Sequence, residues 1–99
     1  MADLRTPIRR GLSDPQIQQV LGARLRAYRQ ADSLSLADLA ARTGLSLITI
    51  HKAEHGGNFT IRTLLRVLRA LGRLAQLDAF LPPIERSPLA LIAADDDGG

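Results

Sequence analysis

The chain contains no cysteine and no tryptophan among its 99 residues, which removes disulfides and thiolate metal sites as ways of holding it together. A fold that does without disulfides is expected in a reducing cytoplasm. Aromatic residues are scarce, with only Tyr28, Phe59 and Phe80 present, so Leu, Ile, Val and Ala must build the core, which suits closely packed helices. No segment approaches the roughly 20 consecutive apolar residues of a membrane span. The opening MADLRTPIRR has charges but no apolar stretch behind them, so export is not expected. The length leaves room for one compact core, so a second, catalytic domain is not expected.

What is abundant is arginine, and it is unevenly placed. Residues 1–73 carry twelve Lys or Arg against five Asp or Glu, a net +7, whereas residues 74–99 carry one against five, a net −4. A basic body with an acidic tail fits a polyanionic partner, since each phosphate neutralised by Arg or Lys releases condensed counterions. An arginine-rich solvated surface accounts for the same charge pattern.

Local signals divide the chain into three parts. Residues 1–12 lack periodicity, contain Pro7 and Gly11 and cluster Arg5, Arg9 and Arg10, which reads as a flexible basic arm. Such an arm could follow a nucleic-acid backbone or enter a minor groove, or touch nothing at all. Residues 13–81 read as helices. Ser13-Asp14-Pro15-Gln16 has the form of a capping box, and the apolar spacing of Ile17, Val20, Leu21, Leu25 and Tyr28 predicts a helix to about Gln30, with Arg24 and Arg26 facing elsewhere. Ser35 caps a short helix through Arg42, with Asp38 in its first turn and Leu36, Leu39 and Ala40 on its buried side. Ser46 caps a third helix, Leu47 to about His55. Thr60 caps a fourth, whose Ile61, Leu64, Leu65, Leu68 and Leu71 form the expected stripe before Gly72. A fifth helix is expected from Leu74 to Leu81, and its Leu74, Leu77, Phe80 and Leu81 exceed what so small a core can cover, making them candidates for a dimer contact. Residues 82–99 open with Pro82-Pro83 and close with Asp95-Asp96-Asp97-Gly98-Gly99, a composition too charged to fold alone.

The second and third helices and the turn between them carry the function. Two short helices joined at Gly44 make a helix-turn-helix, whose second helix is the one presented to the major groove of DNA. The unit needs a small residue where the helices nearly touch, a residue tolerant of a left-handed backbone in the turn, and apolar residues on the inner face of its second helix. Ala40, Gly44, Ile50 and Ala53 meet those needs. Leu47, Ile48, Thr49, His51, Lys52 and His55 are left on the other faces, with Leu47, Ile48 and Lys52 nearest the side that reaches base edges.

Taken together, Ser35-Leu36-Ala37-Asp38-Leu39-Ala40, Thr43-Gly44-Leu45-Ser46, Ile50, Glu54, Gly56 and the helix Thr63 to Gly72 resemble the Cro and phage-repressor superfamily, the XRE family, over residues 16–74. The resemblance implies an all-α, lambda-repressor-like domain of five helices that dimerises on a two-fold operator. It also implies a buried ion pair between Arg29 and Glu54, and phosphate or groove-side contacts by helix amides and by Ser46, Thr49, His51, Thr60 and Arg62. Two departures stand out. Leu36 replaces a Gln that in relatives hydrogen-bonds a phosphate, so that hydrogen bond is not expected here. Leu47-Ile48 replaces polar base readers, and apolar side chains can discriminate only by packing on the C5 methyl of thymine. Lys52, suited to a guanine, then carries more of the reading.

Arg62, Arg66, Arg69 and Arg73 recur at spacings that place them in one band opposite the Leu stripe of the fourth helix. Arg62 sits close enough to the Thr60 cap to meet a phosphate, and the others read as a solvated face. His51-Lys52-Ala53-Glu54-His55 matches the H-x-x-E-H string of some zinc peptidases. With only two His in the chain and no further ligand in place, the match is read as coincidence: no enzyme, no metal and no cofactor are expected.

Among relatives, Gly56-Gly57-Asn58, the run Thr63 to Gly72, Pro82-Pro83 and Ser87-Pro88-Leu89 are similar to HipB-type antitoxins. That resemblance implies a HipA-type kinase toxin as partner, repression of the shared operon, and an anchoring tail in which Leu89, Leu91 and Ile92 enter a groove on the toxin. A stand-alone or phage-type regulator is the alternative, and a module kept only for protein contacts is a third reading. A cytoplasmic, nucleoid-associated location follows from DNA binding.

Overall fold

The computed structural model describes residues 3–84, and within them the chain forms five helices and no strand: α1 (Asp14–Ala31), α2 (Leu36–Thr43), α3 (Leu47–Glu54), α4 (Ile61–Ala70) and α5 (Gln76–Phe80). The fold class is all-α, as the aliphatic composition predicts. None of these helices is long and apolar enough to cross a membrane.

Side-chain caps set where α1 to α4 begin. The Ser13 hydroxyl accepts from the Gln16 amide at 3.3 Å while the Gln16 side chain accepts from the Ser13 amide at 2.8 Å, which satisfies two amides that have no partner inside the helix. Ser35 and Asp38 repeat the exchange at the start of α2, at 3.0 and 2.9 Å. Ser46 and Thr60 cap α3 and α4 through the amides of Thr49 and Thr63, each at 3.1 Å. The fifth helix has no side-chain cap.

The buried core is assembled from one or two aliphatic residues of each of the first four helices. Leu25 of α1, Leu39 of α2, Ile50 of α3, Val67 and Leu68 of α4, and Leu71 just beyond it form one buried cluster. Leu34, Leu36, Leu64, Leu74 and Leu77 pack around its edge. Leu64, Leu68 and Leu71 of the predicted stripe pack in or against the core, joined by Thr63 and Val67 as an inward ridge, whereas Ile61 is 75% exposed. As the first residue of its helix, Ile61 lies past the end of the packed ridge.

Two further expectations are corrected. Gly72 takes a left-handed conformation, with φ of 69°, and turns the chain so that Arg73 leaves the arginine band of α4. Its guanidinium lies over the Tyr28 ring at 4.1 Å, a cation–π contact. The fifth helix starts at Gln76 rather than Leu74 and contains five residues. Leu74 and Leu77 are drawn onto the core, while Phe80 and Leu81 stay exposed.

Ahead of α1, Arg24 reaches back to the start of the chain. Its Nε donates to the Leu4 carbonyl at 2.9 Å and its Nη2 to the Thr6 carbonyl at 3.1 Å. One arginine of the first helix thereby ties down the described part of the preceding segment.

Candidate nucleic-acid interface

The orientation of α3 is fixed from behind by α1. Gly22 of α1 lies so close to the end of α3 that a β-carbon there would run into the Ala53 carbonyl oxygen and come within 2.8 Å of that of Glu54. Beside this contact Arg29 and Glu54 form a two-pronged ion pair, Nε to Oε2 at 2.7 Å and Nη2 to Oε1 at 2.9 Å. The third arm of the guanidinium donates to the Leu34 carbonyl at 2.8 Å, so one side chain links α1, the α1–α2 connection and α3. Both partners are buried. The hydrogen bonds to Glu54 raise the Arg29 pKa above its ordinary value, against the opposing effect of burial.

The turn that precedes α3 is held in the same economical way. Gly44 closes α2 with φ of 73°, a backbone conformation that costs glycine little. The Thr43 hydroxyl donates to the Leu39 carbonyl at 2.8 Å and accepts from the Leu45 amide at 3.2 Å, bridging the helix it ends and the turn it begins. Past α3, the Gln18 side chain of α1 donates to the Asn58 side chain at 2.6 Å, which tethers the α3–α4 loop.

With its inner face occupied, α3 leaves Leu47, Ile48, His51 and Lys52 open to solvent. Ile48 is 67% exposed and Leu47 50%. These four side chains share a shallow concavity of about 580 Å³ with Ser35, Leu36 and Ala37 from the start of α2. Leu36 has two surfaces, since it also packs on the edge of the core. Thr49 is half-buried, and its hydroxyl is engaged with that of Ser46 at 2.9 Å. His51 and His55 stack with ring centroids 4.1 Å apart, and the His55 Nδ1 lies 2.8 Å from the His51 carbonyl. Glu54 of the H-x-x-E-H string turns inward to Arg29 while both imidazoles stay outside, so the three side chains do not converge.

A second concavity, of about 380 Å³, opens at the other end of α2. Arg42 meets Arg62, Arg66 and Arg69 there, with Leu65 and Ala70 beneath, and no carboxylate lines it. Helical spacing does not point to Arg42, because it relates residues within α4 but not α2 to α4. Thr60 is exposed at the head of α4, with its hydroxyl 3.2 Å from that of Thr63. At the start of α2 the Ser35 amide holds the Asp38 carboxyl below the ordinary carboxylate range.

The four residues expected at a dimer contact are split, with Leu74 and Leu77 half-buried and Phe80 and Leu81 exposed beside the equally exposed Ile84. The candidate tail anchors Leu89, Leu91 and Ile92 lie outside the described residues. Gly22, Gln18 and Thr43 hold the site in place without being evident from helical pattern. Of these, only Thr43 carries a local signal, a hydroxyl directly before a turn glycine.

The model of a family described as helix-turn-helix domain matches residues 20–80, a span that takes in α2, α3 and the concavities at both ends of α2. No curated protein matches the chain.

Proposed function

The chain belongs to the helix-turn-helix domain family, a family of DNA-binding regulators, and from that premise we propose that it is a sequence-specific transcriptional repressor that acts as a homodimer on an inverted-repeat operator. The observation that carries the proposal is the division of α3 into two faces. Its inner face is locked by Gly22 and the Arg29–Glu54 pair, and its outer face is free along Leu47, Ile48, His51 and Lys52. A helix anchored in this way can enter the major groove without reorganising, which lowers the cost of binding.

The roles divide by chemistry. Leu47, Ile48 and Lys52 read base edges, Lys52 as a donor to guanine. Ser46, Thr49, His51, Thr60 and Arg62 lie on the groove side or meet phosphates, helped by the free amides at the heads of the helices. Dimerisation uses the exposed Phe80 and Leu81, with Leu77 behind them, and sets two copies of α3 about 34 Å apart on one side of the duplex. Occupancy of such an operator blocks transcription.

Within this reading we infer a further role as the antitoxin of a HipA-type kinase, supported by the likeness of Gly56-Gly57-Asn58, the run Thr63 to Gly72 and the proline-containing tail to HipB-type sequences. A stand-alone or phage-type regulator is the other reading. The neighbouring gene separates the two, and a kinase there favours the antitoxin.

The direct test is a binding-site selection from random duplexes at two salt concentrations, which reports the consensus, the half-site spacing and the number of phosphates engaged. An inverted repeat with centres one helical turn apart is the expected result. Recovery of unrelated sequences at both salts would remove the sequence-specific reading.

A further inference from the structure

The concavity between the first turns of α2 and α3 is aliphatic where a DNA-reading surface needs polar groups. Leu36 and Ala37 form one wall beside Ser35, Leu47 and Ile48 the other beside His51, and Lys52 completes the lining. Hydrocarbon cannot read the donor and acceptor pattern of base edges. The one apolar feature that the major groove offers is the methyl group on C5 of thymine. Leu36 is the informative residue, because it packs against the core and also lines the concavity with Leu47, so the fold fixes its place there. A side chain that merely lacked a phosphate partner would have no reason to share a surface with the exposed pair on α3.

We propose that this concavity is a site for the 5-methyl group of a pyrimidine, and that Leu36 determines specificity there together with Leu47 and Ile48. The proposal rests on the DNA-binding reading above and goes beyond it in naming the ligand chemistry. A site that reads the methyl and not the hydrogen-bonding edge accepts thymine and 5-methylcytosine alike and disfavours uracil and unmodified cytosine. Binding is therefore sensitive to cytosine methylation at the position that faces Leu36. Deleting one methyl from the site weakens binding about fourfold, equivalent to the ~0.8 kcal/mol of one buried methylene-sized group. The same deletion in both half-sites of a dimer multiplies to about sixteenfold.

The test uses the full chain and duplexes recovered by selection from a random-core library. Each thymine of the consensus is replaced singly by deoxyuridine, which deletes the methyl and keeps the base pair, and, with guanine opposite, by cytosine or by 5-methylcytosine. The expected result is one or two positions per half-site at which uracil costs several-fold and at which 5-methylcytosine restores what cytosine loses. Ile48→Ser, at a position open to solvent, should lower affinity, and both it and Leu36→Gln should bring the thymine-to-uracil ratio close to one, whatever phosphate contact the new Gln adds. Equal binding of thymine and uracil at every position overturns the methyl site while leaving DNA binding in place. A ratio that survives both substitutions overturns the role of Leu36 and Ile48, and failure to retain any duplex at low salt overturns the DNA-binding reading along with it.

Discussion

The two ends of α2 present opposite surfaces. At its first turn Leu36 and Ala37 share a largely aliphatic concavity with Leu47 and Ile48. Around its last turn the exposed residues are cationic, with Arg42 beside Arg62, Arg66 and Arg69. Eight residues of helix thus separate a surface that can discriminate between bases from one that can attract any phosphate chain. The contrast teaches that affinity and specificity are carried by different side chains here, because guanidinium attraction is long-ranged and indifferent to sequence whereas methyl packing is short-ranged and selective.

The comparison holds only while α3 stays fixed, so the largest expected effect comes from its anchor. Glu54→Ala leaves the Arg29 guanidinium buried without its partner and should cost about 3–5 kcal/mol of stability, read from urea unfolding. Both surfaces should then fail together. Gly22→Ala should cost about 1–3 kcal/mol by overpacking, since the new β-carbon meets backbone carbonyls that cannot rotate aside. A stability equal to that of the parent chain would show that α1 and α3 can slide apart, and the anchor would not be fixed.

The next effects separate the two surfaces. Lys52→Ala should cost about 1–3 kcal/mol on the preferred site and relax the choice at one base pair. Arg62→Ala, or Arg66→Gln with Arg69→Gln, should weaken binding to all duplexes alike and flatten the salt dependence by about 0.9 in log–log slope for each phosphate no longer neutralised. If Lys52 and the arginines behave identically in a competition against random DNA, the division between the two ends of α2 is wrong.

The smallest effect is a titration. Asp38 is held below the ordinary carboxylate range by the Ser35 amide, so its cap supports the folded state fully above the pKa of the unfolded chain and is lost as the pH falls through the lowered value. Resonances at the start of α2 should therefore shift at a lower pH than those of an ordinary aspartate. A titration of Asp38 at or above the ordinary range would mean that the cap contributes nothing.

Much of this architecture is legible in the sequence because caps and helical stripes are local. Ser13, Ser35, Ser46 and Thr60 announce their helices within four residues, and the spacing of Val20, Leu25 and Tyr28 needs nothing outside α1. The stripe of α4 is misread at Ile61 because periodicity gives the direction of a side chain but not where the neighbouring helices end. Arg73 leaves its expected band because Gly72 redirects the chain after the helical count has stopped. Gly22, Arg24 and Gln18 stay silent for a different reason. Their partners lie far along the chain, and nothing in a glycine, an arginine or a glutamine on a helix says which distant segment it will touch. The concavity shared by Leu36 and Leu47 likewise appears only once two helices are placed side by side.

The three-way grip of Arg29 has a practical corollary for redesign. The atoms that set the pose of the third helix lie behind it, on Glu54, Ala53 and the Leu34 carbonyl, so the outward positions 47, 48, 51 and 52 behave as an exchangeable cassette. New operator preferences should be obtainable by rewriting those positions together with Leu36, with the rest of the scaffold left untouched.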